Sequence, residues 1–398
     1  MKVGFNARYL YDPGLRGLNR YTFSLLRALE NLGGVTISLF TEERFPVHNQ
    51  YRRALRAEVT SLPASRTLLW EQLDLPRSLR RKAIDVFHAP ADGGLPLRKP
   101  CPYVLTLHGV PDRSLGHQLQ LGELSGSLGQ YLDTGSKDGP VARVLQRLRS
   151  RALLNLYIRA ADLVITVSEF SKEELVRYLG ISPDKIRVTY EAPDERLVQP
   201  RSPEYIRGVR AKYGIPDCFV LFVGGYDKRK NVSALLRAFA ALTTTHPDVG
   251  LVLVGIGGDI EDSRLQCRVL GMAEGRHVFF LERLSDPELG ALYQAASLFA
   301  TMSWHEGFCL PLAEAMACGA PVLASRFGAI PEILGGAGRL VDPRKVDEIA
   351  DAMRTILREA DLRSEMRARS LSRSSAFTWE RTAEQTLEVY EELYRRCA

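Results

Sequence analysis

The sequence has few cysteines, and no two of them are spaced as a metal-binding or redox pair. The six are Cys101, Cys218, Cys267, Cys309, Cys318 and Cys397. With no histidine at ligand spacing, this pattern argues against a zinc site. No run approaches the roughly 20 apolar residues needed to span a bilayer, and residues 1–10 lack the apolar stretch of a signal peptide. We therefore expect a cytoplasmic chain with free thiols, no metal and no membrane span.

Aromatic residues are also sparse, at 8% of the chain, and they do not alternate with basic residues. This argues against a nucleic-acid partner. The formal charge of +6 favours anionic partners such as diphosphates or anionic lipid. Basic residues gather in two segments, which contain Arg52, Arg53, Arg56 and Arg143, Arg147, Arg149, Arg151. Such segments are most often solvated faces, and peripheral contact with the inner face of the cell membrane is the alternative.

Short apolar runs followed by helical periodicity recur along the chain, which indicates a mostly parallel α/β fold. Its 398 residues suffice for two domains. The stretch 190–203 has three prolines and little periodicity, so we place the linker there. We predict an N-terminal domain over 1–195, a C-terminal domain over 196–377 and a last helix, 378–398, that crosses back to the first domain. Two such domains place a ligand cleft between them by default.

Two glutamates flank a predicted helix start in the second half. Glu306 is expected in the loop above the sheet, Pro311 at the first helical position and Glu314 in the first turn. The N–H groups of residues 308–310 are expected to point out of the helix, where a phosphate or polyol can accept from them. Taken alone, the two glutamates are more simply explained as a solvated loop acid and a partner of the helix dipole.

A basic pair, Arg229 and Lys230, follows the predicted strand 218–223 and a turn that contains Gly225. Cations at the carboxyl end of a strand, just before a helix, can stabilise a leaving diphosphate. The position at the sheet edge favours this interpretation over a basic surface turn.

The first half offers weaker candidates for ligand contact. Gly17 precedes a predicted helix and allows close approach of a ligand, although a glycine turn after a first strand is often only a turn. Arg20 and Tyr21 begin that helix and are candidate acceptor-binding residues. His108 follows a predicted strand and is expected to face the cleft. The simpler explanation is that a lone histidine is structural or merely exposed. Residues 112–140 are polar and Gly/Ser-rich, so acceptor contacts are expected there.

The segment from Glu306-Gly-Phe-Cys-Leu-Pro-Leu-Ala-Glu314 through Val322 resembles the signature of family 4 glycosyltransferases. The resemblance continues along nearly the whole chain, at Arg16–Tyr21, Thr106–His108, Ser168–Ser171, Arg229–Asn231 and Phe377–Trp379. It implies the GT-B fold, two Rossmann-like, doubly wound parallel-sheet domains with a cleft between them. It also implies an activated sugar donor, no metal or other cofactor, and retention of the anomeric configuration.

The resemblance also assigns roles to the candidate residues. Arg229 and Lys230 are expected to stabilise the departing diphosphate, and His108 to contact the transferred sugar. Glu306 is expected to hold the sugar and Glu314 the ribose. The remaining donor-binding candidates are Gly17, Gly225, Gly307, Phe308, Cys309 and Leu310. The expected activity is hexosyl transfer, mannosyl first, in polysaccharide or glycoconjugate synthesis.

GDP-mannose is the preferred donor and a UDP-hexose the alternative; the acceptor is a carbohydrate, a lipid-linked molecule or a small molecule. A nucleotide-sugar epimerase of the same fold and a non-catalytic nucleotide-sugar-binding protein are the rival functions. The chain departs from the family pattern at four places. It has Gly109 where Asp is frequent, Cys309 where Gly is frequent, Gly225 where Arg is frequent and Glu191-Ala192 where Asn-Gly is common.

Overall fold

The computed structural model describes residues 1–11, 17–63, 67–110, 151–225, 228–255, 260–282 and 284–397. The predicted acceptor loop, 112–140, lies outside these ranges. So do three arginines of the second basic segment, Arg143, Arg147 and Arg149. The chain divides into two compact units. Unit 1 contains Met1–Glu191 together with Trp379–Ala398, and unit 2 contains Ala192–Thr378.

Unit 1 is built on a seven-stranded parallel sheet. Its strands are β1 (Lys2–Asn6), β2 (Thr36–Glu42), β3 (Glu58–Leu62), β4 (Val86–Ala89), β5 (Tyr103–Leu107), β6 (Leu163–Thr166) and β7 (Ile186–Val188), in the order β3-β2-β1-β4-β5-β6-β7. Central strands such as β5 are buried at every position, because helices cover both faces of a parallel sheet.

Within the described residues, the strands of unit 1 are connected by helices. They are α1 (Leu18–Leu32), α2 (Asn49–Ala54), α3 (Thr67–Leu69), α4 (Leu75–Arg81), α5 (residues 151–160) and α6 (Glu169–Leu179). A π-helical turn, Trp70–Asp74, joins α3 to α4 and buries the indole of Trp70 completely. The periodicity of the sequence does not show this turn, since π-turns are rare and follow tertiary packing.

Unit 2 repeats the architecture with six parallel strands. They are β8 (Phe219–Val223), β9 (Gly250–Val254), β10 (Val278–Leu281), β11 (Leu298–Thr301), β12 (Val322–Ser325) and β13 (Arg339–Val341), in the order β10-β9-β8-β11-β12-β13. The predicted α/β class, with two parallel sheets in series, is confirmed.

The helices of unit 2 alternate with its strands and add two at the end. They are α7 (Glu195–Val198), α8 (Pro203–Tyr213), α9 (Val232–Thr243), α10 (Ile260–Val269), α11 (Asp286–Ala295), α12 (Leu310–Ala317), α13 (Ile330–Leu334), α14 (Val346–Arg358) and α15 (Ala360–Ser374). The core of the unit is packed between α9, α14 and the sheet, where Phe222, Phe239 and Met353 are fully buried.

The last helix, α16 (Trp379–Cys397), belongs to unit 1 and packs along α1. Its apolar stripe buries Trp379, Tyr390 and Leu393. An ion pair of 2.7 Å between Nη2 of Arg187 and Oε1 of Glu392 fixes its far end to β7. Unit 1 is therefore completed by a segment that follows unit 2 in the sequence.

Both sheets reverse their strand order at one place. In unit 2 the chain moves outward through β8, β9 and β10 and then returns to place β11 on the other side of β8. In unit 1 the same reversal lies between β1 and β4. The loops at the carboxyl ends of the two strands leave in opposite directions at such a point, which opens a crevice where ligands of doubly wound folds bind.

Candidate functional site

A buried carboxylate lies at the reversal point of the unit 2 sheet. Glu306 is in the loop between β11 and α12 and is 6% exposed. Its Oε2 accepts from Nη1 of Arg229 at 2.9 Å, and its Oε1 accepts from Nζ of Lys230 at 2.6 Å. The two cations come from the turn Lys228–Lys230, which follows β8. Because β8 and β11 are parallel neighbours, side chains far apart in the sequence meet at one edge.

The electrostatics of this cluster favour the charged carboxylate. Burial alone would raise the pKa of Glu306, but the adjacent charges of Lys230 and Arg229 outweigh it and lower the pKa from 4.5 to about 2. A hydrogen bond from the buried Ser303 acts in the same direction on this pKa. The predictions did not include Ser303, because a serine just beyond a strand carries no signal of its own.

The loop that carries Glu306 is held in place by its neighbours. Nη1 of Arg229 also donates to the carbonyl oxygen of His305 at 2.7 Å. The backbone N–H of Ala329 donates to the carbonyl oxygen of Glu306 at 3.0 Å. Gly328 has a φ of +69°, and a Cβ there would lie 2.7 Å from the backbone nitrogen of Glu306. The turn before α13 therefore requires glycine to approach the loop this closely.

The start of α12 differs from the prediction in two respects. The helix begins at Leu310, so Pro311 takes the second helical position rather than the first. Glu314 consequently lies in the second turn, and its predicted place in the first turn is wrong. It is buried, and its Oε2 accepts from the hydroxyl of Tyr293 at 2.9 Å. Cys309, the N-cap, has a φ of +79°, which favours glycine and gives a physical reason for the glycine common at this position.

The other predicted donor-binding residues of unit 2 lie on the same loops. Phe308 is buried and packs edge-on against Phe377, with 5.5 Å between ring centroids. Gly307 and Leu310 are half-buried, while Gly225 is exposed beyond the end of β8. The structure thus brings Arg229, Lys230 and Glu306 into direct contact and gives no such contact for Gly225.

A histidine–glutamate pair lies at the carboxyl edge of the unit 1 sheet. His108 follows β5, and its Nδ1 lies 2.9 Å from Oε1 of Glu191, which follows β7. Its Nε2 lies 3.1 Å from the carbonyl oxygen of Pro90, which follows β4. Burial alone would lower the pKa of His108, but the hydrogen bond and charge of Glu191 outweigh it and raise the pKa above 6.5. The predictions did not include Glu191 as a site residue. Its only signal in the sequence was that it occupies a position where the family commonly has Asn.

A chain of buried polar side chains runs from α16 to the same edge. The hydroxyl of Tyr390 lies 2.6 Å from Nδ1 of His88, and Nε2 of His88 lies 2.7 Å from Oγ1 of Thr106. Thr106 in turn lies 3.3 Å from the hydroxyl of Tyr21. Burial, and then the charge on His108, lower the pKa of His88 to about 3, so this imidazole is neutral.

The predicted acceptor-binding pair on α1 has two different environments. Tyr21 is completely buried, and its ring packs edge-on against His108 with centroids 4.6 Å apart. This position supports His108 and leaves no surface of Tyr21 for an acceptor. Arg20 is half-buried one residue earlier, and Gly17 is the N-cap of α1 with a φ of +86°.

A second buried ion cluster fixes the turn after β1. Nη1 of Arg8 donates to Glu42 at 3.0 Å, and Nη2 donates to Glu71 at 2.8 Å. The hydroxyl of Tyr157 donates to the other oxygen of Glu71 at 2.6 Å, and Nε of Arg44 donates to Glu42 at 2.6 Å. Both glutamates are fully buried, so their negative charges depend on the partners in the cluster.

The described residues contain no group of three or more His, Cys, Asp and Glu side chains that could hold a metal ion. Within the same ranges, no helix has the length and apolar character to cross a membrane. The described arginines of the two basic segments are exposed: Arg52, Arg53, Arg56 and Arg151.

Two family models match the chain. The model described as Glycosyltransferase Family 4 matches residues 15–195, and the model described as Glycosyl transferases group 1 matches residues 209–373. An O-antigen chain mannosyltransferase B from Escherichia coli is 35% identical over 233 residues, which are 58% of this chain and 61% of that protein. A D-inositol 3-phosphate glycosyltransferase from Corynebacterium jeikeium is 34% identical over 243 residues, 58% of each chain. The match therefore spans about three fifths of the length of each relative.

Solved structures resemble the whole chain. The crystal structure of Anabaena Alr3699/HepE in complex with UDP-glucose has a TM-score of 0.73 at 21% identity and covers 99% of this chain and 100% of that chain. This likeness shows the fold, GT-B, with its two parallel-sheet α/β domains.

Proposed function

Since the chain belongs to the family 4 glycosyltransferases, whose two domain models account for most of its length, we propose that it is a retaining hexosyltransferase. It moves a sugar from a nucleoside-diphosphate donor to an acceptor hydroxyl. Mannose is the preferred sugar, supported by 35% identity to an O-antigen mannosyltransferase, and GDP-mannose the preferred donor. A UDP-hexose is the second candidate, since a structure of the same fold holds UDP-glucose.

The observation that carries the proposal is the triad of Glu306, Arg229 and Lys230 at the strand-order reversal of unit 2. The triad holds two cations and one carboxylate, which leaves it with a net positive charge. A diphosphate that binds there gains charge-assisted hydrogen bonds from Arg229 and Lys230. As the bond to the sugar breaks, these groups stabilise the negative charge that grows on the leaving phosphate oxygen, the task a metal ion performs in other transferases.

The proposed reaction is a front-face displacement. The bond between C1 of the sugar and the β-phosphate oxygen breaks, and its electron pair leaves with the diphosphate. The acceptor oxygen forms its bond to C1 on the same face, and its proton passes to the departing diphosphate. The configuration at C1 is retained, and no external base is consumed.

The state of Glu306 supports this route over a double displacement through the carboxylate. A nucleophilic carboxylate needs an oxygen that is free to approach C1. Here Oε1 is engaged by Lys230 and Oε2 by Arg229, and a pKa of about 2 makes the group a weak base. We therefore propose that Glu306 orients the two cations and accepts from the sugar hydroxyls. A trapped glycosyl–Glu306 adduct would contradict this assignment.

The experiment that tests the donor site is a thermal-shift panel of GDP, UDP and their sugars. A ligand at 100 times its Kd adds about 2.7 kcal/mol of stability, and the base that stabilises most identifies the donor. We expect Lys230→Ala to abolish the ligand-induced shift. Lys228→Ala is the matched control, because Lys228 lies exposed in the same turn. Equal nucleotide-induced shifts in wild type and Lys230→Ala would refute the phosphate site.

Turnover separates the proposed transferase from its rivals. A nucleotide-sugar epimerase releases free nucleotide and an altered sugar without an acceptor, and a non-catalytic binding protein shifts in the thermal panel but releases no product. We expect product formation that needs an acceptor and that continues in EDTA. Full turnover in Glu306→Ala would show that the sugar subsite is misplaced, and a requirement for divalent cation would refute the metal-free mechanism.

The acceptor side rests on the first unit. We propose that His108 contacts the transferred sugar and that acceptors bind at loops of this unit. The exposed arginines of the two basic segments are most simply solvated. The alternative is that they contact an anionic membrane surface. Co-sedimentation with vesicles of 30% anionic lipid, compared with neutral vesicles, tests that contact.

A further inference from the structure

Both ring nitrogens of His108 face groups that only accept hydrogen bonds. The carbonyl oxygen of Pro90, 3.1 Å from Nε2, requires a proton on that nitrogen. The remaining nitrogen, Nδ1, lies 2.9 Å from a carboxylate oxygen of Glu191. A neutral imidazole with its proton on Nε2 would direct the Nδ1 lone pair at this carboxylate. Only the imidazolium donates to both partners at once.

The surroundings of the pair preserve this charge. The side chain of Glu191 is 7% exposed and that of His108 is 21% exposed, so water screens the pair weakly. The acid Asp92 adds a favourable charge, and the ring of Tyr21 packs edge-on against the imidazole. The neighbouring His88 stays neutral and so does not compete for the proton. Because imidazolium is a weaker acid than a carboxylic acid by roughly two pH units, the shared proton stays on the ring.

We infer that Glu191 is a positioning residue that holds His108 as a fixed imidazolium at the carboxyl edge of β5. The assignment rests on the proposed function, in which His108 contacts the transferred sugar. His108 then offers donors and a positive charge, but it has no lone pair to take a proton from the acceptor hydroxyl. This agrees with a reaction in which the diphosphate is the base.

The residue at position 191 sets this charge. A glutamine, which has the same length as glutamate, would donate its amide N–H to Nδ1 and leave the ring neutral. Glu191 instead accepts from Nδ1 and adds a negative charge. The substitution therefore changes the protonation state of the histidine while preserving the hydrogen bond between them.

The test is a pH titration of His108 in the ligand-free full chain. Histidines are labelled with ¹³C at Cε1, and the signal of His108 is identified by its loss in His108→Gln. We expect a wild-type midpoint above 6.5. In Glu191→Gln the midpoint should fall to 6.5 or lower, because the amide donates to Nδ1. Asp92→Asn is the matched control and should lower the midpoint less, and Glu191→Asp should keep it above 6.5.

A second measurement connects this charge to the reaction. We expect kcat/KM of the wild type to fall as the pH rises through its midpoint above 6.5, and that of Glu191→Gln to fall at lower pH, through its lowered midpoint. A wild-type midpoint at or below 6.5, or one unchanged in Glu191→Gln, would overturn the inference. Because the titration needs no ligand, it is independent of the nucleotide panel. A chain that passes the titration but binds no nucleotide would refute the proposed function alone.

Discussion

Replacing Glu306 with glutamine is expected to destabilise unit 2 at neutral pH and not at strongly acidic pH. The glutamine has nearly the same shape, but it cannot neutralise two cations, and its N–H₂ group would face Lys230 or Arg229. These cations are 13% and 25% exposed in their side chains, so they cannot regain full hydration without movement. The substitution therefore isolates the charge of Glu306 from its packing.

The magnitude follows from the pKa of Glu306. A fall from 4.5 to about 2 corresponds to roughly 3 kcal/mol of preference for the charged form, at about 1.4 kcal/mol per pKa unit. Solvent around Arg229 screens part of this electrostatic interaction. We therefore expect Glu306→Gln to lower the free energy of unfolding by about 2 kcal/mol at pH 7. For a domain of this size, 1 kcal/mol shifts Tm by about 2–4 °C, which predicts a fall of about 4–8 °C.

The sign of the pH dependence is fixed by the direction of the shift. Because the folded-state pKa is the lower one, the stabilisation is complete above pH 4.5 and is lost as the pH falls through about 2. Calorimetry of wild type and Glu306→Gln should therefore show melting curves that converge as the pH is lowered. Glu282→Gln, which removes an exposed acid from the same unit, is the control and should shift Tm little at any pH. Equal Tm values for wild type and Glu306→Gln at pH 7 would refute the reasoning.

Four further substitutions test the packing by thermal denaturation. Tyr390→Phe should cost about 1–3 kcal/mol, because it leaves a nitrogen of the buried His88 without its 2.6 Å partner; an unchanged Tm would contradict that bond. Gly290→Ala should cost about 1–3 kcal/mol, since its Cβ would lie 2.3 Å from a carbonyl oxygen of α7. Gly208→Ala, in open space on α8, should instead add about 0.5–1 kcal/mol. Arg8→Ala should cost about 3–5 kcal/mol by removing the cation that two fully buried glutamates share, and a loss below 1 kcal/mol would show that they protonate instead.

Much of the fold could be predicted from local patterns. The predicted strand 218–223 is an almost continuous apolar run, and the structure has this strand at Phe219–Val223. The predicted basic turn and Glu306 meet as expected of loops at one sheet edge. These features follow from periodicity and chain direction, which are local properties of a sequence.

Features that depend on distant partners could not be predicted. His88 and Tyr390 are 302 positions apart, and His108 and Glu191 are 83 apart, so no local window contains either pair. The predicted first-turn position of Glu314 is wrong because the prediction assumed a helix start at Pro311, whereas Cys309 in a left-handed conformation sets the start one residue earlier. In β3 apolar and polar residues do not alternate regularly, and the strand is partly exposed. Its sequence therefore gives little indication of a strand.

The return of α16 to unit 1 has a consequence for biosynthesis. At about 5–20 residues per second, a ribosome needs roughly 10–40 s to add the residues between Glu191 and Trp379. Throughout that interval the nascent first unit lacks the helix that covers α1, and its apolar surface stays open to chaperones. The second unit is therefore the first to be complete, although its synthesis begins later.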